Sequence, residues 1–310
     1  MPEEKKKKIV FLVGPTGIGK SAVAIILAKK INAEIVSCDS IAVYRKMDII
    51  ASKATPGQRK KIKHHLLDVV NPAQEYNVAK YRKGALSICD KLFLKGKVPL
   101  FVGGSGLYYS IIIDGLFPHV PQDKSIRAKL NRQLETKGSK YLYKRLTKID
   151  PAAAKKIHPN DARRIIRALE VYLKTGKQIS MLQKNRSGLG KEHELNVFGL
   201  NLKRPALYRR VDARVNQMFR LGLINEVKRL LKHKLSKTAA CAIGINELNG
   251  YFNGLYPQDE AKRLIQRNSR HYAKRQLTWF RKDKRIQWID INKADSPAQV
   301  SLKIWKKLFL

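Results

Sequence analysis

One octapeptide constrains the fold of this chain more than any other segment: Gly14-Pro15-Thr16-Gly17-Ile18-Gly19-Lys20-Ser21. It satisfies G-x-x-x-x-G-K-[ST] at every position, and it stands between two segments of contrasting pattern. Before it, Ile9-Val10-Phe11-Leu12-Val13 is an unbroken β-branched and aromatic run, which reads as a strand buried on both faces in a parallel sheet. After it, the chain from about Lys20 to Lys30 reads as a helix. Glycines in such a turn adopt positive φ and point backbone N–H groups inward, and the following helix N-terminus adds positive potential. Lys20 contributes a mobile charge, and the Ser21 hydroxyl suits a Mg²⁺ ion. The segment therefore predicts a di- or triphosphate site. It does not name a reaction, because kinases, ATPases and other users of diphosphates share it.

The rest of the chain extends the same architecture. Ala33 to Ser37 and Val98 to Val102 read as further strands, the latter running into Gly103-Gly104-Ser105-Gly106. Strands alternating with helices predict an α/β fold, a P-loop NTPase-like parallel sheet flanked by helices. After Gly115 the texture changes. Pro118 and Pro121 close the segment, and from Ser125 to about Ser180 the pattern is helical and basic, so residues 118–195 are expected to form an inserted helical domain. Val197 to Leu202 should return the chain to the sheet before Pro205 stops it, leaving residues 1–117 and 196–310 as the α/β core.

The charge balance narrows the partner. The chain holds 64 Lys and Arg against 24 Asp and Glu, a formal net charge of +40, yet 44% of its residues are hydrophobic. A folded protein with that excess suits a polyanion, because each neutralised phosphate releases condensed counterions. No apolar run approaches the roughly 20 residues of a membrane span. The basic start at Lys5 to Lys8 is followed by an apolar run, Ile9 to Val13, too short for a signal-peptide core and leading straight into the motif, so a cytoplasmic location is expected. Cys38, Cys89 and Cys241 lack metal-ligand spacing and fit reduced thiols.

The residues beyond the second strand carry the chemistry. Cys38-Asp39-Ser40-Ile41-Ala42-Val43-Tyr44 places a carboxylate and a hydroxyl past a strand's C-terminal end, where ligands gather in open α/β sheets. A lone Asp there is more often a cap or a metal ligand than a base. Four further segments come in order: His64-His65-Leu66-Leu67-Asp68-Val69-Val70, Gly103 to Tyr108, Ile157 to Val171, and Tyr272-Ala273-Lys274-Arg275-Gln276-Leu277-Thr278-Trp279-Phe280-Arg281. Together with the phosphate loop they resemble one family, the tRNA dimethylallyltransferases or tRNA isopentenyltransferases, from Ile9 to about Trp288. The resemblance implies transfer of a dimethylallyl group from dimethylallyl diphosphate to the exocyclic amine of the adenosine immediately 3′ of the anticodon, with Mg²⁺ and release of diphosphate. The phosphate loop, Gly14 to Ser21, would then hold a leaving group, with Ser21 the residue that meets Mg²⁺. Asp39 would accept the amine proton, and Ser105 would stand where the family has a Thr near the reacting atoms.

The same resemblance assigns tRNA contacts to Asp39, Ser40, Ile41, Ala42, Ser105, Arg127, Arg163, Arg164, Arg167, Lys274, Arg275, Gln276 and Arg281. The anticodon stem-loop is the expected partner, and the protein is expected to act as a monomer. Two departures from the family pattern stand out. Ala42 replaces a Gln that touches tRNA and has no hydrogen-bonding side chain, and Ile245-Asn246 replace an aromatic residue and a Lys. Independently of the resemblance, Arg270 to Arg285 interleaves seven basic residues with His271, Tyr272, Trp279 and Phe280, a composition suited to a phosphate backbone and splayed bases. Trp279 and Phe280 are expected to enter the core, and His64 and His65 to be hydrogen-bonding structural residues. Three other readings compete: a nucleotide kinase or ATPase, an isopentenyltransferase acting on free adenine nucleotides, and an RNA-binding protein with an inactive phosphate loop.

Overall fold

In a computed structural model, residues 6–117, 120–292 and 294–310 are described. Lys5 and Pro118 lie outside the described residues. The chain divides into two compact units, one made of Met1–Ile112 with Glu192–Leu310 and the other of Ile113–Lys191.

The first unit begins β1 (Lys8–Val13), α1 (Lys20–Lys30), β2 (Ala33–Cys38), α2 (Pro56–Lys61), β3 (His64–His65), α3 (Val78–Leu94), β4 (Val98–Gly103) and α4 (Gly106–Ile113). The second unit contains α5 (Lys124–Ile149), α6 (Pro151–Ala154), α7 (Ala162–Thr175) and α8 (Ile179–Lys184). The chain then returns through β5 (Glu194–Asn201), α9 (Arg204–Arg220), α10 (Leu223–Leu231), α11 (Lys237–Ala240), α12 (Ile245–Phe252), α13 (Gln258–Phe280), β6 (Gln287–Asp290) and α14 (Pro297–Phe309).

The six strands form one parallel sheet in the order β3-β2-β4-β1-β5-β6. β1 is central, and its five residues from Ile9 to Val13 are at most 1% exposed, as an unbroken apolar strand covered by helices on both faces requires. One face packs Val10, Leu12 and Leu100 against Leu27 of α1 and Ile304 of α14. On the other, Phe11 stacks on Phe101 at 4.7 Å and meets the edge of Tyr109. Leaving β1, the chain passes over β4 to build β2, so the C-terminal ends of β1, β4 and β2 lie side by side. This positions the site.

The second unit has its own core, in which Leu130, Leu142 and Leu146 of α5 meet Ile165 and Leu169 of α7. Gly138, at φ +76°, interrupts α5. Pro205 does not terminate β5, which has already ended at Asn201; it sits in the first turn of α9, where a missing N–H costs nothing. Among the described residues no helix is long and apolar enough to cross a membrane.

Candidate active site

The loop from Gly14 to Gly19 joins the end of β1 to the start of α1, and its geometry depends on glycine. Gly17 lies at φ +78°, and a Cβ there would stand 2.9 Å from Val211 Cγ2 on α9. Gly19, at φ +102°, is the N-cap of α1 and offers no side chain to its N–H groups. No acidic residue lies in that first turn, and Gly19 and Ser21 are exposed. The helix thus ends in unsatisfied donors with positive potential, an arrangement that favours an anion.

Lys20 bends back over the loop, donating from Nζ to Gly14 O at 2.9 Å and Pro15 O at 2.8 Å. Burial pushes its ammonium down from 10.5 to about 7; repulsion from Arg214 adds to this, and Asp39 opposes it. Arg214, from α9, donates to the Thr16 hydroxyl and, through Nε, to Ser52 Oγ at 3.0 Å. It is itself lowered by burial and supported by the charge of Asp39.

Asp39 follows β2. Its Oδ1 accepts from Ile41 N at 2.8 Å and Ala42 N at 3.3 Å, fixing the carboxylate as the cap of its own turn. Oδ2 accepts no hydrogen bond from the described residues. The end of β4 is pressed against this turn: a Cβ on Gly103 would lie 2.0 Å from Cys38 O, and Ser105 N donates to that same carbonyl at 3.1 Å. Only glycine permits this approach, which brings Ser105 beside the Cys38–Asp39 peptide. Tyr272 of α13 closes the group, its phenol raised by burial and then by Asp39.

These residues line one cavity of about 600 Å³, within the first unit. Thr16, Gly17, Gly19, Lys20 and Ser21 form one wall, Asp39 to Ala42 a second, and Arg214, Tyr272, Arg275 and Gln276 a third. Its lining therefore carries four cations, Lys20, Lys53, Arg214 and Arg275, one carboxylate, Asp39, and a set of backbone donors. Among the described residues no group of three or more His, Cys, Asp or Glu could hold a metal ion. An ion here would draw on the Ser21 hydroxyl and on the oxygens of a bound ligand, a donor set that fits a hard cation such as Mg²⁺.

An IPP transferase family model matches residues 42–283, and an isopentenyl transferase model matches residues 7–72. The chain belongs to the tRNA dimethylallyltransferase family. It is 46% identical over 300 residues to a tRNA dimethylallyltransferase of Carboxydothermus hydrogenoformans, covering 96% of each chain. It is 43% identical over 290 residues to that of Thermotoga maritima, covering 93% of this chain and 94% of the other. Among solved structures, the tRNA isopentenylpyrophosphate transferase of Bacillus halodurans superposes with a TM-score of 0.72 at 36% identity, covering 98% of this chain and 96% of that one. A eukaryotic dimethylallyltransferase acting on tRNA superposes with a TM-score of 0.75 at 29% identity, over 92% of this chain and 74% of that one. The chain is accordingly a prenyltransferase that acts on tRNA.

Not every residue expected at the dimethylallyltransferase site faces the cavity. Ser105 adjoins it through Cys38, while Gly14, Pro15 and Ile18 shape the loop from behind. Lys274 is exposed on α13 and lines, with His271, Thr278, Trp279 and Lys282, a second cavity of about 380 Å³, whereas Arg275, also exposed, borders both cavities. Arg281 is exposed and reaches Asn201 Oδ1 at 3.5 Å. Gln276 is buried. Phe280 enters the core as expected, but Trp279 does not: it is 37% exposed, its ring lying against Gly106 and edge-on to Tyr109.

In the second unit Arg163 and Arg164 are exposed, Arg164 pairing with Asp161 at 3.3 Å. Arg127 and Arg167 instead converge on Glu170, which is fully buried: Arg127 donates at 2.9 and 3.1 Å and Arg167 at 2.7 Å. Burial disfavours the Glu170 carboxylate, but these bonds outweigh it and hold its pKa below the ordinary 4.5. His64 and His65 are the structural residues expected, bonded to Ile62 O and to Glu34 at 2.7 Å each. Arg214 was not anticipated. It is one of five arginines in α9, and only its place between the inward-facing Val211 and Val215 marks it out.

Proposed function

We propose that the enzyme transfers a dimethylallyl group from dimethylallyl diphosphate to the exocyclic amine of the adenosine immediately 3′ of the anticodon in tRNA. The bond between the allylic carbon and the diphosphate oxygen breaks, the bond from that carbon to the amine nitrogen forms, and the amine loses one proton. Lys20, Arg214 and the N–H groups at the start of α1 take the diphosphate charge. Asp39 Oδ2, without a donor among the described residues, takes the proton. The observation that carries this reading is the presence in one cavity of Lys20, Arg214 and Asp39, with Arg214 and Asp39 both acting on the charge of Lys20 and Asp39 supporting that of Arg214. A phosphate loop with an opposed carboxylate suits a reaction in which diphosphate leaves and a proton must go elsewhere.

Mg²⁺, held by Ser21 and the diphosphate, would supply further charge neutralisation to the leaving group. Exposed Lys274, Arg275 and Arg281 on the first unit, and Arg163 and Arg164 on the second, provide charge for the anticodon stem-loop backbone. We propose that the enzyme acts as a monomer. The test is mass spectrometry of nucleosides from tRNA incubated with enzyme, dimethylallyl diphosphate and Mg²⁺. A mass gain on the adenosine beside the anticodon is expected. An unmodified tRNA, with ATP bound and hydrolysed in preference to dimethylallyl diphosphate, would refute the reading.

A further inference from the structure

Gln276 lies between Arg275 and Leu277 in the basic motif, yet it is only 6% exposed. Its carboxamide is committed in both directions. Oε1 accepts from Thr16 N at 2.8 Å, and Nε2 donates to Gly104 O at 2.9 Å. One side chain of α13 therefore ties the phosphate loop to the turn after β4. The fit leaves no slack: a Cβ on Gly104 would stand 2.2 Å from Gln276 Nε2. Thr16 is held twice, at its N–H by Gln276 and at its hydroxyl by Arg214.

We infer that Gln276 is a positioning residue for the diphosphate and does not read RNA. The inference rests on the proposed function, since it concerns how the leaving group is received. A phosphate loop binds an anion only when successive N–H groups point inward together, so the orientation of the Thr16 peptide sets those that come after it. The Thr16 N–H is occupied by the carboxamide and serves as the anchor of the loop; the donors left for the ligand begin beyond it. Gln276 fixes that anchor to a rigid point, the end of a central strand. Its neighbours Lys274 and Arg275 are exposed, Arg275 also bordering the cavity, so the same helical turn offers its outer face to RNA and orders the diphosphate loop with its inner one.

Two nearly isosteric substitutions separate positioning from RNA reading. Gln276→Met fills the same space and leaves Thr16 N–H and Gly104 O without partners. Gln276→Glu keeps an acceptor for Thr16, but as a carboxylate it cannot donate to Gly104 O and sets a negative charge beside the loop. Calorimetric titration with inorganic diphosphate should show affinity weakened about tenfold in the Met variant and more in the Glu variant. In steady-state assays the KM for dimethylallyl diphosphate should rise in parallel. At saturating diphosphate substrate, kcat should stay within a few fold of wild type, and tRNA affinity within about twofold. Unchanged diphosphate affinity in either variant overturns the inference, as does a loss confined to tRNA binding. Should the Met variant fail to fold, the Glu variant decides alone. The titration stands apart from the reaction: wild-type enzyme that binds diphosphate but prenylates no tRNA overturns only the proposed function, whereas wild-type enzyme that binds no diphosphate overturns both.

Discussion

Lys20 is held in a state that costs the folded protein energy, and replacing it should make the protein more stable and less able to bind its ligand. The pKa falls from 10.5 to about 7, chiefly through burial. At 1.36 kcal/mol per unit, that difference bounds the penalty at ~5 kcal/mol. The side chain is only partly shielded from solvent, and its bonds to two carbonyls recover some of the cost. A net gain of about 1–4 kcal/mol is therefore expected for Lys20→Met, as for other buried charges replaced by apolar groups of similar volume. The pH dependence fixes the sign. The unfolded chain keeps the proton up to 10.5 while the folded chain releases it near 7, so the penalty is complete below pH 7 and disappears as pH rises towards 10.5. Calorimetric unfolding at pH 6.5 and pH 9.5 should show a stability gap between variant and wild type that shrinks at the higher pH. Titration with inorganic diphosphate should show a loss of about 10- to 150-fold, the range for a hydrogen bond to a charged group. A variant no more stable than wild type at pH 6.5, or a gap that widens with pH, refutes the account.

Three further outcomes are expected from the site and its surroundings. Asp39→Asn preserves the cap on Ile41 and Ala42 but cannot take a proton, so single-turnover transfer should be abolished while tRNA affinity stays within a few fold and inorganic diphosphate binds more tightly; a wild-type rate would rule out Asp39 as the base. Glu170→Gln leaves Arg127 and Arg167 without their buried partner and should destabilise the second unit by about 3 kcal/mol at neutral pH, seen in thermal unfolding. Because the Glu170 pKa is depressed, its contribution is present above the ordinary carboxylate value and is lost as pH falls through the lowered one, so the difference from wild type should close in acid; equal melting temperatures at pH 7 would refute this. Lys274→Ala and Arg275→Ala should each flatten the dependence of log tRNA affinity on log salt by roughly 0.7–0.9 for every phosphate no longer neutralised, and an unaltered slope would place the residue off the RNA.

The parts of this fold that the sequence disclosed were those whose signal is local. β1, the phosphate loop and α1 were readable almost to the residue, because a doubly buried strand, a positive-φ turn and a helix start each impose their own residue chemistry. β3 and β6 were not. The first has two residues and the second four, and both are edge strands whose pairing with β2 or β5 is a fact of tertiary structure. At the site, Asp39 and Lys20 were legible because each sits beside a glycine-rich or strand-end landmark. Arg214 was hidden among equivalent arginines. Gln276 carried a readable sign that composition obscured: Ala273, Gln276, Leu277 and Phe280 recur at the i, i+3, i+4 and i+7 spacing of one helical stripe, and all four are buried. Similarly, Arg167 lies three residues before Glu170, a spacing at which opposite charges on a helix meet.

In the proposed reaction the charges in the cavity order transfer and product release. Without ligand, Lys20 and Arg214 repel each other, and the shift of Lys20 records that repulsion together with burial. Asp39 relieves it in part, raising Lys20 and supporting Arg214. An arriving diphosphate brings several negative charges to the two cations and takes over the role of Asp39, but it is also repelled by that carboxylate. When the amine proton moves to Asp39, the repulsion ends. The diphosphate product is then held by the same two cations with no opposing charge nearby, more firmly than the substrate's diphosphate was. Release is favoured once Asp39 gives its proton to solvent, which restores the negative charge facing the product. In the proposed reaction the carboxylate thus acts twice in one turnover, first as the acceptor that makes the amine a nucleophile and then as the charge that helps to expel diphosphate. This is why Asp39→Asn should bind diphosphate more tightly: the variant fixes the cavity in the neutral state that wild type reaches only after transfer.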